Sequence, residues 1–586
     1  MSDRIGDRYA PREWHPDERP TLPGGPSFPK HSTPRRIAYF LIGTLVTLTG
    51  GLGNALVTVN LVNLQGTLGV FTAEVNWLPT AYVMTNVSMN LLLVKFRQQF
   101  GLRAFTEFFL VLYALVTFAH LFVNDLGSAI AVRAAHGMVG AALSTLGLYY
   151  TLQAFKKEWR PRGIVISTGI SQLAQPIAYI FTRSLLQFAE WRGLYLFELG
   201  LTLVTLAAVL WLKLPPGDRF KAFRPTDFVT FSLFAPGMAL LCAALTFGRV
   251  LWWTEQPWVG IALACAIVLL LAAICVEHNR ANPLLNLRWL TNGMIVRLGI
   301  ALMLVRVVLS EQSVGAVGFL RLVGLNNDEM QTLFIVILLS TTLGIVVSVL
   351  VVRPPHLMAP QVVSLLIMAL GAWIDSHASN VTRPAQMYVS QGMLAFGGVM
   401  FLGPLLLTMM GSVIANPANL ISFSVLFGLT QNLGGLIGSS LLGTFQVMRE
   451  KFHSSVLAEQ LTGLDPLVAT RIQQYGAAYA RQLADPSART RQGISVLTQT
   501  AAREANILAY NDVFLVISII ATLLAAWIFG RALWLKYVAP PAPAPAPAPP
   551  PAPPGPPDPT DSPIGVPSGD RRLAPRPPEP VPAVPT

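Results

Sequence analysis

The residues whose side chains are best suited to take part in chemistry are Arg306 and Glu311, which lie inside the apolar stretch "LMLVRVVLSEQSVGAV" at 302–317. Arginine is permanently charged, whereas a glutamate can bind and release a proton, so the pair could hold a charged ligand or carry protons. A charge at the centre of a bilayer costs about 2.5 to 3.5 kcal/mol on insertion scales. We therefore expect both side chains to face the protein interior or a water-filled cavity.

A second candidate group is Arg133 with His136, whose spacing of three places them on one helix face. Histidine titrates near neutral pH, so His136 and Glu311 are the predicted proton carriers. We predict that Arg133, or else Arg306, forms an ion pair with Glu311 whose partners change with conformation. A static pair that satisfies buried charges is the alternative, and His136 could be an ordinary hydrogen-bonded residue. Two further acids, Glu198 and Asp375, are weaker candidates.

Neutral polar residues in similar apolar stretches could orient a bound molecule, or could equally hold neighbouring helices together. They are Asn54, Thr58, Asn60 and Gln391. The three cysteines have no metal-ligand spacing, and neither a P-loop nor an H-E-x-x-H motif is present. The sequence therefore predicts no metal, no cofactor and no enzymatic activity.

The elements that must position these residues are membrane-spanning helices. Of the 586 residues, 53% are hydrophobic and 12% are charged, which is not the composition of a soluble globular protein. A helix of roughly 20 apolar residues crosses a bilayer, and we predict about fourteen such spans between Arg36 and Tyr537. The predicted fold class is an all-α polytopic protein in a lipid bilayer.

Lysine and arginine are concentrated in the loops after the second, fourth and sixth predicted spans, so these loops are expected in the cytoplasm. Examples are Lys95, Arg103, Lys156, Arg162, Lys213 and Arg219. An even number of spans then places both termini in the cytoplasm. The same loops and the N-terminal arm account for the net charge of +12, so no binding of nucleic acid is predicted.

The spans are predicted to form two six-helix halves with an inserted helix pair, an arrangement typical of secondary transporters with a substrate site between the halves. The predicted segments are a cytoplasmic arm at 1–35, a six-helix bundle at 36–214, a two-helix insert with flanking loops at 215–290, a six-helix bundle at 291–537 and a disordered Pro/Ala-rich cytoplasmic tail at 538–586. The second bundle includes a long outer loop at 450–510. We expect one or two amphipathic helices there, either solvated or docking a partner.

Five short motifs follow one another along the chain: "NWLPTAYVMTN" (76–86), "RAAHGMVGAAL" (133–143), "ANPLLNLRWL" (281–290), "LTQNLGGLIGSSLLGT" (429–444) and "ILAYNDVF" (507–514). Together they resemble the signatures of the major facilitator superfamily, and specifically its fourteen-helix drug:proton antiporter branch. The resemblance implies the major facilitator fold and alternating access. It also implies gating roles for Gly101, Arg103, Pro176, Gly434 and Gly435.

The chain departs from this pattern at several positions. Gly53 stands where the branch places a first-helix aspartate, and the fifth-helix motif retains only Pro176, with Gln175 in place of a glycine. Gln431 replaces an arginine in the thirteenth helix. The resemblance implies multidrug efflux of amphipathic small molecules driven by protons. The departures leave open an uncoupled facilitator, or a sensor or assembly relative that does not transport.

The resemblance also implies a location and partners. We expect a multi-pass protein of the bacterial inner (cytoplasmic) membrane that works with a periplasmic adaptor protein and an outer-membrane channel. The loop at 450–510 is the expected docking surface. The two arginines, Arg133 and Arg306, outnumber the single acid Glu311, and this surplus of positive charge favours neutral or anionic substrates.

Overall fold

The computed structural model describes residues 14–15, 18–20, 22–280, 283–353, 357–462 and 464–538. These residues form helices and loops and no strand. The helical bundle belongs to a compact unit, Met1–Trp534, and the remaining unit is Leu535–Thr586. The tail predicted for 538–586 lies outside the described residues after Val538.

Fourteen long helices succeed one another along the described residues. They are α1 Thr33–Val59, α2 Trp77–Phe100, α3 Leu102–Ala119, α4 Leu126–Gln153, α5 Lys157–Phe188, α6 Glu190–Trp211, α7 Pro225–Val250, α8 Pro257–His278, α9 Gly293–Leu322, α10 Gln331–Val351, α11 Met358–Asp375, α12 Tyr388–Ala415, α13 Leu420–Gln460 and α14 Pro486–Tyr537. Thirteen of these regions are long and apolar enough to cross a membrane. The other one, α2, is 24 residues long and carries several buried polar residues. The predicted fold class of two six-helix bundles plus two inserted helices is confirmed.

Local sequence signals explain where several helices begin and end. Pro225 and Pro257 occupy the first turns of α7 and α8, where a missing N–H group costs nothing. The Asn292 side chain accepts a hydrogen bond from the Met294 N–H and caps α9. Gly101 ends α2 with φ of +84°, a conformation that few residues other than glycine adopt.

The N-terminal arm and the basic loops meet on one face of the bundle, here called the arm face. The Gln153 amide at the end of α4 donates to the Ser27 carbonyl at 2.9 Å, and the Ser27 N–H donates to the Pro216 carbonyl at 3.0 Å. The Phe220 N–H donates to the Gln98 carbonyl at 3.1 Å. The loops after α2, α4 and α6 therefore share this face, as their lysine and arginine content predicted.

The predicted outer loop at 450–510 is mostly helical. Its first part continues α13, a separate helix spans Pro466–Ala477, and its last part begins α14. Arg449 donates to the Asp512 carboxylate at 2.6 Å, which fastens α13 to α14. Gly476 and Gly493 lie at the contact of the separate helix with α14, where an added Cβ would meet backbone atoms.

Of the inserted helices, α7 packs on α2 and α13 through a buried apolar cluster, and α8 packs on α7. A charge network at the arm face reinforces this contact. The Lys95 ammonium on α2 lies 2.6 Å from Asp227, and Arg280 lies 2.7 Å from Asp227 and 2.5 Å from Glu277. Two cations thus balance two acids, so the buried charges have partners.

We predict that Asp227→Asn strongly destabilises the protein, because it leaves Lys95 buried without its counter-charge. Removing one partner of a buried pair typically costs about 3 to 5 kcal/mol. Thermal unfolding of the purified protein in detergent measures the loss. Glu107→Gln is the control, since the Lys213–Glu107 pair is 48% and 40% exposed and such a pair contributes about 0 to 1 kcal/mol. Equal shifts in the two variants would contradict the network's role.

Candidate functional site

The first buried charge cluster lies in the N-terminal half and is organised by Arg133 on α4, which is 0% exposed. Its guanidinium donates to the Gly53 carbonyl at 2.9 Å and to the Asn54 side-chain oxygen at 2.8 Å. It also lies 3.1 Å from Nδ1 of His136, which must accept because arginine only donates. The other ring nitrogen of His136, Nε2, lies 2.9 Å from the Glu198 carboxylate on α6. Three helices, α1, α4 and α6, therefore meet at one balanced group of charges.

Gly53 is part of this cluster because of the space it leaves. An added Cβ there would collide with the Tyr113 hydroxyl, the Glu198 carboxylate and the His136 ring. The Tyr113 hydroxyl itself donates to Glu198 at 2.9 Å. The Glu198 carboxylate of α6 therefore lies in the volume beside Gly53, where a side chain on the first helix would otherwise stand.

The second cluster lies in the C-terminal half and contains two carboxyl groups. The Gln391 amide on α12 donates to Glu311 on α9 at 2.9 Å and to Asp375 on α11 at 2.8 Å. The Ser390 hydroxyl donates to the second oxygen of Asp375 at 2.5 Å. Glu311 also begins a π-helical turn, Glu311–Ala316, an irregularity that is frequent at functional sites.

This acid pair has no counter-charge within the part of the chain that is described. Glu311 is 0% exposed and Asp375 is 4% exposed, and neither forms an ion pair with a described residue. One oxygen of Glu311 and the Gln391 carbonyl oxygen are buried without a hydrogen-bond partner there. Two ionised carboxylates would repel each other and both would be desolvated. Binding of one proton would remove the repulsion between the two carboxylates and leave the pair with a single negative charge.

The ion pair predicted between Glu311 and either Arg133 or Arg306 is not formed between these described residues in this conformation. Arg133 is occupied by the N-terminal cluster, and Glu311 is turned to α11 and α12. The five-residue separation of Arg306 and Glu311 corresponds to about 140° on a helix, which directs the two side chains to different neighbours. The part that either arginine plays in transport stays a prediction.

Arg306 points instead to α13, where Gly434 and Gly435 make room for it. An added Cβ at Gly434 would lie 2.9 Å from the Arg306 Cβ, and one at Gly435 would lie 3.6 Å from a guanidinium nitrogen. The structure therefore places these two motif glycines against a charged side chain. Their gating role stays a prediction.

The remaining predicted residues fall into three groups. Thr58 donates to carbonyls of its own helix, and Asn60 donates to Leu56 of its own helix and to Thr182 on α5, so only Asn60 joins two helices. At the arm face, Gly101 ends α2 and Arg103 donates to the Leu214 carbonyl at 3.1 Å. Asn54 and Pro176, in contrast, line cavities.

Two neighbouring cavities lie between the halves. The central cavity has a volume of about 320 Å³ and is lined by α1, α2, α4 and α5 of one half and by α12 and α13 of the other. It combines apolar side chains with amides, among them Asn54, Asn86 and Gln431, and with Arg97. The side cavity has a volume of about 150 Å³ and contains Arg306 and Pro176. Ser171 lines the first cavity and Gln172 lines the second, so the two adjoin along α5.

Glu198 and Asp375 carry more of the site than their sequence context indicated. Each is an acid in or beside an apolar span, which is a costly placement and was the available signal. The partners of these acids could not be read, because the rotation and register of one helix against another are set by packing.

A family model of the Major Facilitator Superfamily matches residues 43–439. A Penicillium decumbens protein named MFS-type transporter calB is 26% identical over 194 residues, which cover 32% of this chain and 34% of that protein. The Aspergillus fumigatus protein named major facilitator superfamily multidrug transporter mfsC is 26% identical over 230 residues, covering 38% and 43%. The alignments therefore span less than half the length of these curated relatives.

Among solved structures, an auto-inhibited POT family peptide transporter superposes with a TM-score of 0.52 at 14% identity. The superposition covers 86% of this chain and 98% of the other. At this identity the likeness concerns the fold alone.

We predict that Gly53→Ala destabilises the N-terminal cluster, because the new methyl group overlaps Tyr113 and Glu198. Overpacking of this kind costs about 1 to 3 kcal/mol and should lower the apparent melting temperature of the purified protein. Gly200→Ala on α6 is the matched control, since an added Cβ there meets nothing within 4 Å. A Gly53→Ala protein as stable as the Gly200→Ala protein would show that Glu198 does not occupy this volume.

Proposed function

Because the chain belongs to the Major Facilitator Superfamily, we propose that it is a secondary active transporter that exports amphipathic small organic molecules by alternating access, driven by the proton gradient. The observation that carries proton coupling is the Glu311–Asp375 pair, bridged by Gln391 and lacking a cation among the described residues. A buried acid pair of this kind binds and releases protons as its access to water changes.

The substrate class follows from the central cavity. Its lining combines apolar and aromatic side chains with a few amides, which suits molecules that have both an apolar body and a polar group. Both halves contribute to the lining, so a rocking motion of the halves changes the access to it. The name of the A. fumigatus relative, a multidrug transporter, agrees with this class.

The proposed coupling uses one buried cluster in each half. In the C-terminal half, the transported proton binds to one carboxyl group of the Glu311–Asp375 pair. In the other half, Arg133 and Glu198 carry opposite charges, and the two ring nitrogens of His136 bridge them. Asn54 accepts a hydrogen bond from Arg133 and also lines the central cavity. A substrate in that cavity can therefore contact the residue that binds Arg133.

We also propose that the arm face is cytoplasmic, since the basic loops gather there. Both chain termini would then lie in the cytoplasm. The matched curated relatives are fungal, so the bacterial inner membrane, the periplasmic adaptor and the outer-membrane channel are proposals that rest on the sequence resemblance.

We predict that Glu311→Gln and Asp375→Asn each abolish substrate movement driven by a pH gradient, because an amide cannot exchange the proton. The assay uses purified protein in liposomes, with a fluorescent amphipathic dye as the substrate. Exchange of labelled for unlabelled dye without a gradient should persist, because it needs no net proton transfer. Arg133→Ala should impair both activities, since it leaves Glu198 and His136 without their cation.

Glu504→Gln serves as the control, because Glu504 is a partly exposed acid on α14 whose carboxylate accepts from Asn380. It should transport like the unaltered protein. Gradient-driven transport that survives in both acid variants would refute proton coupling through this pair. Loss of exchange as well as gradient-driven transport in a folded Glu311→Gln protein would indicate a role in substrate binding instead.

A further inference from the structure

Arg306 is a charged side chain without a partner among the described residues. It forms no ion pair and donates no hydrogen bond there, and its Nε is buried and unsatisfied. Arg133, by comparison, has two carbonyl-type acceptors at 2.8 to 2.9 Å. An unpaired charge in the membrane interior is costly, so it is kept only where a ligand or water supplies the missing acceptors.

The side cavity around Arg306 is polar and contains no competing anion. None of its fifteen lining residues, all within the described part of the chain, is aspartate or glutamate. The hydroxyl groups of Ser310, Ser313 and Thr341 donate to carbonyls of their own helices, so they leave the guanidinium free. The cavity therefore offers a positive charge to whatever enters it.

A second donor reaches the same cavity from the other half of the protein. Gln175 on α5 lines the cavity, and none of the hydrogen bonds between described residues involves its side chain. It stands at the position where the family resemblance led us to expect a glycine. An amide can donate two hydrogen bonds, so Gln175 and Arg306 together could hold both oxygens of a carboxylate.

We propose that the side cavity binds the carboxylate of an organic anion, held between the Arg306 guanidinium of one half and the Gln175 amide of the other. This inference rests on the proposed function and names its substrate class as amphipathic carboxylates. The central cavity fits the same class, because its described lining also lacks acids and includes the buried Arg97. The apolar part of the ligand would lie in that larger cavity.

The test compares two probes of one shape, 4-phenylbutyrate and its uncharged amide, 4-phenylbutyramide. Their affinities are measured by calorimetry with the full chain in lipid nanodiscs, without any gradient. We expect the carboxylate to bind at least tenfold more tightly than the amide. In Arg306→Gln this preference should disappear, and in Arg306→Lys it should be reduced, because lysine keeps the charge without the two-pronged geometry.

Gln175→Glu provides an independent variant, since it places a carboxylate in the cavity that should pair with Arg306 and exclude the probe. Arg297→Gln is the matched control, because Arg297 is an exposed arginine on the same helix, α9, near its start. It should keep the full preference. Equal binding of the two probes, binding of neither, or a preference that survives in Arg306→Gln overturns the proposal.

The carboxylate-binding proposal and the proposed function can fail independently of each other. Binding is measured without transport, so a protein that fails to couple protons would still show the carboxylate preference. Conversely, a protein that couples protons but binds both probes equally would retain the proposed function and lose this inference.

Discussion

The structure is governed by the cost of placing charge where lipid and packed protein exclude water. Most buried charges in the described bundle are balanced by an opposite charge nearby. Lys95 and Arg280 balance Asp227 and Glu277 at the arm face, and Arg133 lies in one cluster with Glu198. The acid pair, Arg306 and Arg97 do not follow this rule, since none of them has a counter-charge among the described residues. The two arginines line the cavities between the halves, where a ligand can supply the missing acceptors, and the acid pair can bind a proton.

Several glycines in this bundle make room for buried polar groups on neighbouring helices. Gly53 leaves the volume that Glu198 fills, Gly434 admits Arg306, and Gly438 lies against the Ser310 hydroxyl. A glycine has no Cβ, so a charged or hydroxyl group from a neighbouring helix can approach the backbone there. The two helices then stay closely packed around the polar group. The glycine at position 53 and the acid at position 198 are therefore two parts of one packing arrangement.

The sequence was sufficient for the large-scale architecture because that architecture follows from simple rules. Apolar runs of about 20 residues must be helices in lipid, and the basic loops after α2, α4 and α6 identify one face. Individual partners were not predictable in the same way. Which residue faces Glu311 depends on the rotation of α9 and on its π-helical turn, which shift contacts by a few ångströms and leave no trace in hydropathy. Gln391 was identified as polar, but its bridging of two acids needed coordinates.

Exchange of a proton for a ligand requires that binding of one affects binding of the other, and the two proposed sites share one segment of α9. Glu311 belongs to the acid pair, and Gln312, the next residue, lines the side cavity. The Gln312 amide also donates at 3.3 Å to the main-chain carbonyl of Gln391, the residue whose side chain bridges Glu311 and Asp375. A ligand that displaces this turn of α9 would therefore move one carboxyl group relative to the other and change the electrostatic balance of the pair. The π-helical turn that begins at Glu311 is the element through which occupancy of the cavity can affect protonation of the acids.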